Sequence, residues 1–388
     1  LSRAEPSIEE RLPALRVRRD RVASWLRDRD IDAAVLADFE GLRNASLRYL
    51  TGHPSDGLLL LSCTAEALLV AWDLPLARRR AQVEELLPYG QFDRSLYGTL
   101  KELMSERGIR RAELSGAFPF PLVQELSQAL PRTELLCRRE GIDEELARMR
   151  SVKDAGELQE LRQACSLTNA FIDEIEALLV ERGEQSETGL ALHLEAQALA
   201  RGAEGMSFQT LAAGPERSYA IHAFPPYTAG RFGTPGLSIL DFGVCWAGYR
   251  SDVTLTVLHG PLDRRQGEMS EAVAEAYELA LSLVKPGADP ERIGVRVDRF
   301  LADRGYPMPH GLGHGIGLEA HEAPMLRPPR SSSPAPGRVS ALQPGMVVTI
   351  EPGAYHPEAG GVRLENDLLV TEQGAEPLTR ARFLRLGG

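Results

Sequence analysis

Four acidic side chains interrupt runs that otherwise read as buried strands. Asp241 ends LSIL just before Phe242-Gly243, Asp252 breaks into YRSDVTLTVL, Glu351 closes MVVTI before Pro352-Gly353, and Glu365 lies within GVRLENDLLV. These segments are rich in β-branched and apolar residues with glycine punctuation, the composition of strands. A carboxylate in such a place is rarely buried unless it is paired or bound to a metal. Taken singly, Asp241 passes equally well for a hydrogen-bonded structural residue. Four such acids in one part of a chain are harder to explain separately, and a shared positive charge explains them together.

A second stretch points the same way. Residues 310–322 read HGLGHGIGLEAHE and hold three of the eight histidines, His310, His314 and His321. Four glycines in seven residues cost a helix roughly 1 kcal/mol each relative to alanine, so the segment reads as extended or looped backbone that can approach a bound ion closely. Neutral imidazole is the commonest protein metal ligand. Two Asp, one His and two Glu supply five ligands, enough to bridge two divalent ions about 3.5–4 Å apart, as in two-metal hydrolytic sites. Oxygen-dominated ligation with one imidazole suits Mn(II), with Co(II), Zn(II) or Fe(II) compatible. The alternating glycines do not open a helix after a strand, which argues against a dinucleotide loop, and His321-Glu322 continues Ala-Pro-Met, so no HExxH zinc motif is present.

The chain has 388 residues, room for two domains with full cores. A net charge of -11 argues against nucleic-acid or anionic-membrane partners. Cys63, Cys137, Cys165 and Cys245 lie far apart with no CxxC pair, so neither a disulfide framework nor a zinc ribbon is indicated. The first residues lack a signal-peptide core and GLLLLSCTAEALLVAW is broken by polar residues, which together predict a cytoplasmic protein. The pattern divides into a mixed α/β unit, residues 1–142, and a second unit, 143–388, where helices give way to strands. In the first unit helices are expected at 8–29, 76–87 and 96–107, and strands at AAVLA, LLLLS, ALLVAW and RAELSG. His53, beside Gly52 and Pro54, reads as a turn histidine. The Pro/Ser-rich segment 327–340 reads as a mobile surface loop.

The order Asp241, Asp252, His314, Glu351, Glu365, set in DFG, SDVT, GHGIG, HE, IEPG and GVRLEND, resembles the pita-bread metallopeptidases (peptidase family M24). Within them it looks like the proline-specific branch, aminopeptidase P and Xaa-Pro dipeptidase (prolidase). The match covers residues 145–388 by motif and the first 140 by general character. The resemblance implies an α+β architecture, with a C-terminal pita-bread (creatinase/aminopeptidase-like) catalytic domain preceded by a smaller α/β creatinase-type N-terminal domain. It implies hydrolysis of an Xaa-Pro bond at a free N-terminus by a hydroxide bridging two divalent metals, and a homodimer.

The same resemblance assigns roles. Asp241 would hold one metal, His314 and Glu351 the other, with Asp252 and Glu365 bridging. Glu351 would also shuttle the proton to the leaving proline nitrogen. His222, in SYAIHAF, and His321 would hydrogen-bond the substrate carbonyl and the tetrahedral intermediate. His310 would lie near the leaving group, and Arg363 would hold a ligating carboxylate. For His222 and His310 an ordinary structural histidine is the competing reading. Two positions depart from the pattern: Met325 stands where many prolidases place an arginine for the dipeptide carboxylate, which Arg327 could replace, and Phe208 stands where some aminopeptidases P have a tyrosine. Competing functions are a non-peptide amide hydrolase on the same scaffold and a non-catalytic binding protein, whose relatives lose the ligands that this chain keeps.

Overall fold

The computed structural model describes residues 8–387 except 41, 139 and 329–336, so most of the Pro/Ser-rich segment lies outside the described residues. Two compact units divide between Met149 and Arg150.

The N-terminal unit is a six-stranded mixed sheet with helices packed on it. In spatial order its strands are Glu85–Pro88, Ala67–Ala71, Gly57–Ser62, Ala33–Asp38, Arg111–Leu114 and Glu134–Leu136. The three strands AAVLAD, GLLLLS and ALLVA are buried almost end to end, which explains why they read as continuous apolar runs with no alternation. Helix Ile8–Arg27 buries Leu15, Val22, Trp25 and Leu26. The helix expected over 76–87 is shorter: Asp73 caps Leu74–Arg80, Ala81 turns extended, and Glu85–Pro88 runs as a strand parallel to Ala67–Ala71. Pro88 disfavours helical backbone at Leu87, and the sheet edge takes Leu86 and Leu87 instead. His53 follows the αL cap Gly52 of the short helix Ala45–Thr51 and is fully buried.

The second unit opens with the end of helix Ile142–Ser151 and the helix Ala155–Arg182, capped by an Asp154–Glu157 capping box. Glu187–Ala200, Arg264–Leu283 and Pro290–Ala302 are its other helices among the described residues. A four-stranded sheet runs Leu384–Leu386, Val253–His259, Gly236–Phe242, Leu211–Ala213, and a five-stranded sheet runs Glu322–Leu326, Gly313–Gly315, Val347–Ile350, Asn366–Thr371, Gly374–Pro377. A hairpin pairs Gly353–His356 with Gly360–Arg363. One continuous core joins Phe171 of the long helix and Phe232 to Phe242, Leu255 and Val257 of the first sheet and to Val348 and Ile350 of the second. No helix among the described residues is long and apolar enough to cross a membrane.

Candidate metal centre

Strand register brings the acids together. In the four-stranded sheet Asp241 pairs with Thr254 and Phe242 with Val253, so Asp252 enters its strand beside the position where Asp241 leaves its own. In the five-stranded sheet Ile350 pairs with Asn366, which sets Glu351 and Glu365 facing each other one step outside the ladder. The two sheets are stitched at this point. Glu365 N–H donates to the Thr254 carbonyl at 3.0 Å, and the Thr254 hydroxyl donates to Glu365 Oε2 at 2.7 Å.

His314 sits in the middle of Gly313–Gly315, a strand so tightly sandwiched that a Cβ on Gly313 would lie 2.0 Å from the Thr349 carbonyl oxygen. Its Nδ1 faces its neighbour's carbonyl, Gly315 O, at 3.0 Å. That bond assigns the proton to Nδ1 and leaves the Nε2 lone pair directed at the acids, 3.5 Å from Glu351 Oε1 and 3.8 Å from Asp252 Oδ2. Asp252, His314 and Glu365 each offer one donor atom within 4.8 Å of the others. Asp241 is drawn to the same place by Arg363, whose Nη2 donates to its Oδ2 at 2.7 Å.

The electrostatics are those of an uncompensated crowd. Burial and then the neighbouring charges of Glu365 and Asp241 raise the Asp252 carboxyl well above its ordinary value. Burial, Glu351 and Asp241 do the same to Glu365. Burial pushes Glu351 up to about 8 even though Arg363 opposes it. Burial also lowers His314 to about 3, so its imidazole is neutral and able to ligate. Asp241 Oδ1 is buried with no hydrogen-bond partner. A buried carboxylate oxygen without a donor, four acids near one arginine, and a neutral imidazole aimed at them form a donor set that fits divalent cations.

The other predicted residues divide into two groups. Arg363 is buried and fully engaged: beyond Asp241, its Nε donates to Thr254 Oγ1 at 2.9 Å and its Nη1 to Tyr355 OH at 2.8 Å. Tyr355 continues the chain to His310 Nε2 at 3.0 Å, and His310 Nδ1 faces Gly311 O at 2.8 Å and Glu351 Oε2 at 3.7 Å. His321 and His222 are exposed. The His321 ring lies 4.1 Å from that of His314, centroid to centroid, and both exposed histidines are near enough to Asp241 to lower its carboxyl pKa against burial.

Several supporting residues escape a reading of sequence. Tyr355 gives no sign of joining Arg363 to His310. Glu322 is gripped by Arg150, Lys153 stands 3.3 Å from its Oε2, and Arg150 also reaches Glu319 at 2.6 Å, fixing the turn that presents His321. Asp367 is buried beneath Asp252. Each depends on register between segments distant in sequence; a cation such as Arg150 at a helix end carries no mark of its partner.

Fold and site together are those of a divalent-metal-dependent hydrolase whose pita-bread catalytic domain follows a creatinase-type domain in sequence. The chain belongs to Metallopeptidase family M24, which it matches over residues 159–372, and residues 18–152 match the Creatinase/Prolidase N-terminal domain. The Xaa-Pro dipeptidase of Pyrococcus horikoshii is 28% identical over 93% of this chain and 96% of its own length. Among solved structures, the prolidase from Pyrococcus horikoshii superposes with a TM-score of 0.80 at 26% identity, covering 95% of this chain and 99% of that one. The X-Pro aminopeptidase from Thermotoga maritima gives 0.78 at 28% identity with the same coverage.

Proposed function

We propose that this protein is an exopeptidase that hydrolyses the Xaa-Pro bond at a free N-terminus, with a small peptide carrying proline at its second position as substrate. The observation that carries this reading is the meeting of Asp241, Asp252, His314, Glu351 and Glu365 in one buried centre of an M24 chain related over nearly its whole length to Xaa-Pro peptidases. The catalytic machinery belongs to residues 143–388, with 1–142 as the accessory domain. Asp241 would hold one ion, His314 and Glu351 a second, with Asp252 and Glu365 shared. When bound, such ions supply Lewis-acid activation of water and of the scissile carbonyl. The oxygen-rich donor set favours Mn(II).

The chain's own residues do the rest. Arg363 and Thr254 fix Asp241 and Glu365, so that the ligands do not reorganise when charge develops. Glu351 keeps part of its side chain, 19%, open to solvent and lies between His314 and His310, which suits a carboxylate that takes a proton and passes it to the leaving nitrogen. His222 and His321, exposed and near Asp241, would donate to the substrate carbonyl oxygen. Arg327, whose Cβ would lie 3.1 Å from a Cβ on Gly311, the residue after His310, would be the cation for a dipeptide's carboxylate. Kinship to Xaa-Pro dipeptidases favours a dipeptidase. By family analogy it would form a homodimer, and four spaced cysteines with no CxxC pair suit a cytoplasmic location.

The test is hydrolysis of an Xaa-Pro dipeptide beside an Xaa-Pro-Yaa tripeptide, after chelation and again with Mn(II), with Asp252→Asn as control. The expected result is Mn(II)-dependent cleavage, faster on the dipeptide and lost in the variant. Absence of cleavage of either peptide by protein holding two metal equivalents would refute the proline-specific reading and favour a non-peptide amide. Arg327→Ala should raise KM for the dipeptide alone.

A further inference from the structure

A fifth acid lies behind the four proposed as ligands. Asp367, two residues beyond Glu365, is fully buried. Its Oδ2 accepts the Asp252 backbone N–H at 3.0 Å and faces the Cys165 thiol at 3.5 Å, while its Oδ1 has no hydrogen-bond partner. A thiol is a weak donor and one amide N–H is little compensation for a wholly buried carboxylate. An asparagine carbonyl could accept both bonds without a charge. Only the charge distinguishes the aspartate, and the ligand it touches is Asp252, whose backbone N–H its Oδ2 holds.

We infer that Asp367 is a positioning residue of the metal centre, fixing the Asp252 backbone and adding a negative charge that strengthens cation binding at the expense of the metal-free fold. The inference rests on the ligand reading given above. It is distinct from ligation, because the carboxylate reaches the centre through the Asp252 peptide group.

The test uses full-length protein stripped of metal, with Mn(II) titrated by calorimetry and thermal melting of the metal-free form. Asp367→Asn keeps an acceptor oxygen of the same shape and removes the charge. Its Mn(II) affinity should fall about 10- to 100-fold, the range for groups that support ligands, while its metal-free Tm rises. Cys165→Ala removes the thiol, keeps the charge and should retain Mn(II) affinity. Unchanged affinity in Asp367→Asn, a lowered metal-free Tm or failure to fold, or an equal loss of affinity in Cys165→Ala would each overturn the inference, the last by assigning the effect to packing. Asp252→Asn separates the two levels: if it too binds Mn(II) normally, the ligand reading itself fails, and the inference with it.

Discussion

Glu322 and Glu351 lie on the same sheet, on either side of the strand that carries His314, and their surroundings differ in sign. Glu322 meets Arg150 and Lys153, and these cations hold its carboxyl below the usual range although burial alone would raise it. Glu351 shares its neighbourhood with Asp241, Asp252 and Glu365, and its carboxyl is driven up to about 8. Burial acts on both carboxyls in the same upward direction, so it is not the variable. The difference is that one cluster brings its own cations, while among the described residues the other has Arg363 against four acids. A buried network built for stability is closed within the chain; the second is open, and its closure has to come from outside.

Breaking the closed cluster should give the largest change. Arg150→Met strands Glu322 without its main partner and should cost about 3–5 kcal/mol, the usual penalty for removing one member of a buried pair, read from urea unfolding. If stability is unchanged, the cluster is not the anchor described here. The open cluster responds to pH in the opposite sense. An acid whose folded pKa is raised stabilises the fold while protonated, and that stability drains away as pH climbs toward the folded value. For Glu351 the window extends from the ordinary carboxylate range up to about 8. Below pH 6.5 the buried neutral histidines His310 and His314, lowered to about 4 and about 3, act the other way. Between pH 6.5 and 8 the metal-free protein should therefore lose roughly 2 kcal/mol through Glu351, at about 1.4 kcal/mol per pH unit. Metal-loaded protein should be flat over the same range, and a flat metal-free profile would contradict the crowding. Smallest is Tyr355→Phe, which removes the hydroxyl between Arg363 and His310 and should cost about 1–2 kcal/mol, with little effect on metal content by elemental analysis.

What can be read from residues alone follows from the same contrast. Asp241, Asp252, Glu351 and Glu365 stand out because each breaks an apolar run, and a break is a local event. The helices at 155–182, 264–283 and 290–302 are visible for a similar reason, since caps and periodicity are contained within each segment. The closed cluster is not visible. Arg150 ends an ordinary charged helix, Glu322 follows a histidine that draws attention to itself, and nothing local links them. Asp367 escapes notice because polar residues two apart near a strand end look solvated until the register shows otherwise. The segment 81–88 misleads because its leucines fit a helix as well as a strand, and the deciding contact, Ala67–Ala71, lies outside it.

The strand that carries His314 has a consequence for how such a centre can change. A Cβ at Gly315 would sit 2.0 Å from the Ala323 carbonyl oxygen, as one at Gly313 would from Thr349. The imidazole rides on a ribbon wedged between two backbones, and neither adjacent position can be substituted to swing it. Variation that retunes ion preference, by descent or by design, must come through side chains that touch the acids, such as Thr254 and Asp367. The histidine stays as the fixed mark against which the other donors are adjusted.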